Sequence, residues 1–390
     1  MVLHMPWTRD LGGPRAQFEL AEEFRRRGHQ VDVFDIRSAH IPANSLAVYF
    51  QHTLFQIRAA RFIRANGAKY DVIDAQQHNI VKSKEALKFS GVLSVRSVGL
   101  VHFYEQFITQ QSAMLAKHSR SGEHPIGFLL RRLARLFFKS VAATNKSFAV
   151  ADCIMLCNED EYNYMAQHLH YGEKSFYVPF GLNEQQQEQL AACSPDSTRR
   201  IQSKTVVFVG SWSMRKGSLD WAEVIMRVRK RLPSTRFLFL GTGSSASAVL
   251  RDLHCTPNEG ITIVPHYSND DLPRLLSEGT VGAFPSYIEG FPYAVLEQLA
   301  AGLPVVAYDV PGSRQTLNSL DPTLLVPPGD ITAFADRICD LLLLDSADYI
   351  QLSAWCKHVA HEYSWSNIAT RTLEIYKGAY SSIQSVKKSV

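Results

Sequence analysis

The sequence predicts an α/β protein of two domains, each organised around a parallel β-sheet. Short apolar runs of strand length alternate with segments of helical periodicity along most of the chain. The length of 390 residues suits two domains of ordinary size, and the apolar fraction of 46% is enough for two cores. In addition, residues 281–308 contain a complete strand–loop–helix–strand order, which is one βαβ unit of a parallel sheet.

The first half of the chain reads as alternating strands and helices. A helix is expected over Ala16–Arg27, with Gly12 and Gly13 in the turn before it. Two adjacent glycines are a weak signal, because turns use glycine routinely. The complete G-x-G-x-x-G pattern is missing, which argues against a nicotinamide dehydrogenase. The strands predicted in this half are Met1–Met5, Gln30–Asp35, Val72–Ala75, Val92–Val98 and Ala151–Cys157.

A basic segment follows in the first half, since no acidic residue occurs between His124 and Ala151. Apolar residues recur there at helical spacing, and Arg131, Arg135 and Lys139 line the opposite side. One interpretation is a packed helix with a charged outer face. The other is a basic surface that contacts anionic lipid or a lipid-linked acceptor.

The second half begins with a change of composition. The polar, glutamine-rich run Asn183–Ser203 is typical of a linker. A buried strand, Val206–Val209, then runs into a loop that carries Arg215 and Lys216. Two cations at the carboxyl end of a parallel strand suit a diphosphate, although a solvated basic turn is an alternative.

The most informative stretch is the βαβ unit itself. Strand Val281–Phe284 is followed by a loop with Glu289 and by a helix that starts near Pro292 and carries Glu297. A helix N-terminus favours an anion such as a phosphate, because its first N–H groups lack helical partners. Carboxylates beside such a site accept hydrogen bonds, and sugar hydroxyls are natural donors. The stretch therefore predicts a sugar-nucleotide site, with two solvated glutamates at a helix start as the alternative.

The same stretch resembles the E-x7-E motif of retaining GT-B glycosyltransferases. Seven residues separate Glu289 from Glu297 in E-G-F-P-Y-A-V-L-E, and A-A-G-L-P-V-V follows. The stretch is most similar to family four, which holds glycogen-synthase and mannosyltransferase relatives. Phe176–Asn183 resembles the segment that closes the first domain in that family, and Lys216 with Gly217 matches its G-R-x-x-x-K-G motif.

Two positions depart from the family pattern. Ser211 occupies the place of an arginine that follows the first glycine in many relatives, so Arg215 is a candidate for its role. Val98 occupies the place of the first histidine of R-S-H-G-L-E-H, and His102 matches the second. His102 is expected to replace the missing histidine, to contact the acceptor, or merely to face solvent.

The resemblance implies a GT-B fold, in which two Rossmann-like domains face each other across a cleft. It implies an N-terminal acceptor-binding domain over residues 1–183, joined by a C-terminal helix over residues 365–390. Residues 184–364 would bind the nucleotide-sugar. The implied reaction is retaining transfer of a sugar from a nucleotide-diphosphate sugar to a hydroxyl acceptor, in polysaccharide, glycolipid or other glycoconjugate biosynthesis. The acceptor would be a sugar, a lipid-linked sugar or a small molecule, and neither a cofactor nor a metal would be required.

The resemblance also assigns roles to single residues. Arg215 and Lys216 would hold the diphosphate, Glu289 would orient the transferred sugar, and Glu297 would accept hydrogen bonds from the ribose. Further donor contacts are expected from glycines, loop residues and the helix N-terminus, namely Gly12, Gly13, Ser211, Gly241, His266, Tyr267, Gly290, Phe291, Tyr293 and Ala294.

Composition limits the remaining classes of function and the location of the protein. The net charge of +4 is mild and gives no indication of nucleic acid binding. No apolar run is long enough to span a bilayer and no signal peptide is evident, so a cytoplasmic protein is expected, with peripheral contact at the inner membrane face as an addition. Six scattered cysteines fit a reducing compartment. The alternative to an enzyme is a GT-B-shaped scaffold or regulatory protein, which the Val98 and Ser211 departures favour.

Overall fold

The structure is a computed structural model that describes residues 1–41, 51–118, 140–192, 197–256 and 259–389. The chain divides into a first unit, Met1–Pro179 with Trp365–Val390, and a second unit, Phe180–Ser364. The second unit thus begins at Phe180 rather than at residue 184. The basic segment around Arg131, Arg135 and Lys139 lies outside the described residues.

Within the described residues, ten strands form two sheets, and every pair of neighbouring strands is parallel. The sheet of the first unit has the order β1-β2-β3-β4, and that of the second unit has the order β10-β9-β8-β5-β6-β7. The strands are β1 Val72–Gln76, β2 Val92–Arg96, β3 Cys153–Leu156, β4 Ser175–Tyr177, β5 Thr205–Val209, β6 Arg236–Leu240, β7 Ile261–Val264, β8 Val281–Phe284, β9 Val305–Tyr308 and β10 Leu325–Val326.

Helices connect these strands. They are α1 Gly12–Arg26, α2 Gln51–Asn66, α3 Lys84–Leu87, α4 Val101–His118, α5 Glu159–Gln167, α6 Glu184–Ala192, α7 Ser197–Ser203, α8 Trp221–Arg231, α9 Ala246–Asp252, α10 Leu272–Leu276, α11 Tyr293–Ala300, α12 Pro311–Leu317, α13 Ile331–Leu342, α14 Ser346–Glu362 and α15 Trp365–Ser389. Among the helices described, none is both long and apolar enough to cross a membrane.

The two strands predicted at the N-terminus are wrong in extent. Only Val2 and Phe34 make strand-like pairs: Val2 bridges both Phe34 and Ala75 in parallel. Beyond this pairing, the Trp7 N–H donates to the Asp35 carboxylate at 3.1 Å and not to a neighbouring strand.

Helix α1 also differs from its prediction, since it begins at Gly12 rather than Ala16. Pro14 in its first turn costs little, because the N–H that proline lacks would have no helical partner there.

The predicted linker Asn183–Ser203 is wrong, because most of it is helical. Helices α6 and α7 occupy residues 184–192 and 197–203. Glutamine, glutamate, alanine and leucine are all good helix formers. The two helices are held to the second unit by Leu190, which is 3% exposed, and by Arg200, whose guanidinium donates to the Ala301 carbonyl at 2.7 Å.

Helix α15 packs in the first unit through a buried polar network around Asp74. Arg96 donates to the Asp74 carboxylate at 2.9 Å and Gln17 donates to it at 2.8 Å, while the Tyr376 hydroxyl of α15 supplies a third hydrogen bond. Burial would raise the pKa of Asp74, but Arg96 and the two neutral donors outweigh it, and the pKa is lowered. This network ties the C-terminal helix to the centre of the first sheet.

Candidate functional site

The candidate site lies where the strand order of the second sheet reverses. The chain runs outward from β5 through β6 to β7, then returns to the other side of β5 at β8. Strands β5 and β8 are therefore neighbours, and the loops that follow them meet at their carboxyl ends. This reversal is the place where open α/β sheets bind ligands.

Gly217 holds the two loops together. Its φ is +76°, and a Cβ built on it would lie 2.2 Å from the carbonyl oxygen of Pro285. Only glycine fits both this backbone conformation and this approach. The Tyr287 N–H also donates to the Arg215 carbonyl at 2.9 Å. The loop after β5 is thereby fixed against the loop after β8.

This contact brings Arg215, Lys216 and Glu289, here called the ion cluster, into direct pairing. The Lys216 Nζ lies 2.6 Å from Glu289 Oε1, and an Arg215 guanidinium nitrogen lies 2.8 Å from the same oxygen. The Ser286 hydroxyl donates to that oxygen at 2.5 Å. The side chains of Glu289 and Lys216 are 8% and 12% exposed, whereas Arg215 is 33% exposed.

Burial and charge act in opposite directions on the ion cluster. Burial would raise the pKa of Glu289, but the positive charges of Lys216 and Arg215 outweigh it, so the pKa is lowered. Burial lowers the pKa of Lys216, and Glu289 only partly opposes this. Glu289 is therefore a weakly basic carboxylate, and the cluster carries two positive charges against one negative charge.

Helix α11 continues from this loop and carries the second glutamate. Pro292 is the N-cap with an extended backbone, so α11 begins one residue later, at Tyr293, close to the predicted start. Tyr293 and Ala294 form the first turn, where the helix supplies no partner for the N–H groups. Glu297 is on the same helix and is 6% exposed.

The residues just before α11 are enclosed. Gly290 and Phe291 are buried, as is Tyr293, while Ala294 is half-buried. Gly312 in α12 approaches Gly290 so closely that a Cβ on Gly312 would lie 2.6 Å from the Gly290 carbonyl oxygen. The start of α12 therefore backs the glutamate loop, a contact that the sequence analysis missed.

The loops after β6 and β7 lie at the same edge of the sheet. A Cβ built on Gly241, which has a φ of +71°, would lie 3.0 Å from the Tyr267 ring. His266 is exposed and Tyr267 is half-buried. Ser211 is exposed in the loop after β5. The structure thus places four of the residues predicted to contact the donor at the carboxyl edge of one sheet, namely Ser211, Gly241, His266 and Tyr267.

A third buried carboxylate, Asp220, contacts the loop after β8. Asp220 accepts hydrogen bonds from the Tyr287 hydroxyl at 2.8 Å and from the Tyr308 hydroxyl at 2.6 Å. Burial raises the pKa of Asp220 despite these donors. Asp220 thereby links the start of α8 to the loop after β8 and to the end of β9.

The sequence analysis missed this network and the role of Ser286. The spacing Ser-x-x-Glu in residues 286–289 is a pattern of local side-chain pairing and could have identified Ser286. No local pattern joins Asp220 to tyrosines that are 67 and 88 residues away.

The remaining predicted residues belong to the first unit. Gly12 and Gly13 are the first two residues of α1, and a Cβ on Gly13 would lie 3.8 Å from a Val98 methyl carbon. The predicted turn at Gly12 and Gly13 is therefore the start of α1, and Val98, one of the two departures from the family pattern, lies beside it.

His102 is not on the surface. It is 5% exposed, its Nε2 lies 2.8 Å from the Asn145 side-chain oxygen, and its ring packs near Phe148 and Tyr164. Burial lowers the pKa of His102. The expectation that His102 merely faces solvent is wrong, and its other assigned roles stay predictions.

Sequence comparison finds similarity between the second unit and known transferases. Residues 203–343 match the family "Glycosyl transferases group 1". A D-inositol 3-phosphate glycosyltransferase of Mycobacteroides abscessus is 29% identical over 192 residues, which are 48% of this chain and 42% of that relative. The chain thus matches less than half the length of that curated relative.

Structural comparison covers nearly the whole chain. Sucrose-phosphate synthase from Thermosynechococcus elongatus superimposes with a TM-score of 0.72 at 18% identity, over 98% of each chain. Anabaena HepE in complex with UDP-glucose superimposes with a TM-score of 0.64 at 13% identity, over 97% of this chain and 99% of that chain. The fold is GT-B, as the sequence predicted.

Proposed function

We propose that this chain, which has the GT-B fold and a second unit that matches the group 1 glycosyl transferases, moves a sugar from a nucleotide-diphosphate sugar to a hydroxyl acceptor. The observation that carries the proposal is the ion cluster at the reversal of the second sheet. Two cations converge there on a single, largely buried carboxylate, in the loops where a diphosphate would bind.

The nature of the donor follows from the charges. A diphosphate needs positive charge on its oxygens when it leaves, and Arg215 and Lys216 supply it from fixed positions. The first turn of α11 adds N–H groups from Tyr293 and Ala294. Anabaena HepE, which shares the fold, is described in complex with UDP and with UDP-glucose. A nucleoside diphosphate sugar is therefore the donor class that we assign.

The lowered pKa of Glu289 favours orientation of the sugar over proton transfer. A general base works best when its pKa is near the operating pH, and pairing with two cations moves Glu289 away from that range. We therefore propose a retaining, front-face reaction, in which the leaving diphosphate oxygen takes the proton of the attacking hydroxyl. The glycosidic bond to the diphosphate breaks as the bond to the acceptor oxygen forms on the same face.

The other assignments complete the proposal. Glu297 accepts hydrogen bonds from the ribose, and no divalent metal takes part, since Arg215 and Lys216 offset the leaving charge. The first unit binds the acceptor, which is a sugar, a lipid-linked sugar or a small molecule, in the biosynthesis of a polysaccharide or another glycoconjugate. Cytoplasmic location, with peripheral membrane contact, is part of the same proposal.

A panel of nucleotide-sugars tests the donor assignment. A ligand at about 100 times its Kd stabilises the folded chain by about 2.7 kcal/mol. For domains of this size, each kcal/mol raises Tm by roughly 2–4 °C, so one member of the panel should raise Tm by roughly 5–10 °C. Nucleoside monophosphates and Lys216→Met are the matched controls, and both should show a much smaller shift.

The stabilising donor is then offered with simple sugar acceptors or water, and release of nucleoside diphosphate is measured with a coupled phosphatase. Release at a rate that Lys216→Met abolishes supports the proposal. A panel in which no nucleotide-sugar stabilises the chain, or stabilisation that Lys216→Met leaves intact, contradicts it.

A further inference from the structure

Three histidines from separate segments of the first unit come together. His4 follows the short paired segment at Val2, His78 follows β1, and His52 is in the first turn of α2. We refer to them as the histidine cluster. One nitrogen from each of the three rings can be chosen so that all lie within 4.8 Å of one another.

Packing by itself does not satisfy these rings. The ring centroids are 4.7 Å apart for His4 and His52, 4.8 Å for His4 and His78, and 5.3 Å for His52 and His78. Both ring nitrogens of His78 and the Nδ1 of His4 are buried without a hydrogen-bond partner. A buried polar atom without a partner destabilises the fold, so several at one point require an explanation.

The backbone holds His78 in this position. His78 has a φ of +62°, a backbone conformation that residues other than glycine rarely adopt, and it is 8% exposed. The Gln56 side chain of α2 donates to its carbonyl oxygen at 2.6 Å. The surrounding structure therefore keeps a buried, unsatisfied imidazole beside two others at the expense of local strain.

We propose that the histidine cluster binds one divalent transition-metal ion, with Zn²⁺ as the preferred ion. Neutral imidazole is a ligand that suits zinc, and three histidines with an open fourth position form a recurrent zinc site. The fourth position would be taken by water on the side of His52, which is exposed.

The geometry needs a small adjustment to accept the ion. Zinc–nitrogen bonds of about 2.0–2.1 Å place tetrahedral ligand atoms about 3.3 Å apart. The present spacing of up to 4.8 Å must therefore shorten. His52 is free to do so, because it is exposed in the first turn of its helix, whereas His78 is held by its backbone.

Other groups around the cluster fit a metal site. Asn79 hydrogen-bonds the ring of His4, and ligand histidines usually use their second nitrogen in this way.

Metal binding would join three segments of the first unit that are distant in sequence. The N-terminal segment, α2 and the loop after β1 would share one ion, and binding would stabilise the folded unit. The ion takes no part in the transfer reaction proposed above, and the inference does not depend on that reaction.

Titration of the chelator-treated, full-length protein with Zn²⁺ and with Co²⁺ tests the site. We expect one equivalent of each to bind, the visible absorption of Co²⁺ to indicate tetrahedral coordination, and Tm to rise with the metal. Because His52 is exposed, His52→Gln should fold normally, which circular dichroism checks. Loss of one ligand should weaken metal binding by at least roughly 10- to 100-fold, the range seen when only an outer partner is lost.

His361→Gln is the matched control, since His361 is also exposed on a helix but belongs to α14. This control should bind the metal like the wild type. Absence of stoichiometric binding by the wild type would overturn the proposal. So would equal affinity of the wild type and His52→Gln, or an equal loss of affinity in His361→Gln.

Discussion

Glu289→Gln should separate binding of the leaving nucleotide from turnover. Glu289 neutralises one of the two positive charges of the ion cluster, at distances of 2.6 and 2.8 Å. Glutamine has nearly the same shape and can still accept the Ser286 hydrogen bond. The substitution therefore removes a negative charge beside the expected diphosphate with little change in packing.

The loss of this negative charge sets the expected change in affinity for the nucleoside diphosphate. A phosphate held by the same cations would lie roughly 6 Å from the Glu289 carboxylate, where a like charge costs about 2.8 kcal/mol at an effective dielectric constant of about 20. Arg215 is 33% exposed, so solvent screens part of this repulsion. A gain of about 1–2 kcal/mol remains, and the nucleoside diphosphate should bind roughly 5- to 30-fold more tightly.

Turnover should change in the opposite direction. If Glu289 orients the sugar as charge develops, its loss removes a charged hydrogen bond worth about 1.5–3 kcal/mol, and kcat should fall roughly 10- to 150-fold. Calorimetry with UDP measures the first effect, and coupled turnover with the donor identified from the panel measures the second. Glu278→Gln, which changes an exposed glutamate of the same unit, is the matched control and should alter neither.

Weaker binding of UDP by Glu289→Gln would refute the charge argument. It would mean that Glu289 mainly holds Arg215 and Lys216 in position. An unchanged kcat would instead remove Glu289 from the sugar side of the site.

Three further substitutions and one pH dependence are expected from the same structure. Glu297→Ala should weaken nucleotide binding by roughly 10- to 150-fold, measured by calorimetry, because a charged acceptor for the ribose is lost; unchanged affinity would exclude it from the site. Lys216→Ala should abolish most turnover. A chelator should not abolish turnover, which is measured in His52→Gln so that the histidine cluster does not affect the result. Recovery of chelator-treated activity by magnesium or manganese would overturn the metal-free assignment. Tyr376→Phe should lower the free energy of unfolding by about 1–3 kcal/mol in chemical denaturation, because buried Asp74 loses a donor; an unchanged value would show that α15 is held without it. The lowered pKa of Glu289 means that its pairing adds stability above its usual pKa of 4.5, and that this contribution disappears as the pH falls through the lowered value. Denaturation of the wild type and Glu289→Gln should therefore differ at pH 7 and converge in acid, and a constant difference would contradict the shift.

Local patterns in the sequence were sufficient for much of the second unit. Strands β8 and β9 lie at the predicted residues, because each is a compact apolar run between strong turn signals. The loops with Lys216 and Glu289 were expected at the carboxyl ends of their strands. In a parallel sheet such loops must lie at one edge, so alternation of strands and helices is enough to place them.

The same local patterns failed where strand pairing or side-chain packing decides the secondary structure. The segment at Met1–Met5 has strand composition, but within it only Val2 forms strand bridges, and the Trp7 N–H just beyond it donates to the Asp35 carboxylate. The run after Asn183 is polar enough for a linker, yet buried Leu190 and Arg200 hold it as helices. In each case a contact distant in sequence outweighed the local propensity.

The sequence by itself therefore determined the class of fold, the position of the two glutamates on the βαβ unit, and the position of Lys216 in the loop after β5. Only the tertiary structure decided that Glu289 is shared between Lys216 and Arg215, and that Asp220 supports the site through tyrosines from two other elements. It also brought together the histidine cluster from three segments. The physical reason is that periodicity records which face of an element is buried, whereas the partner of a buried charge or imidazole is set by the approach of backbones that are distant in sequence.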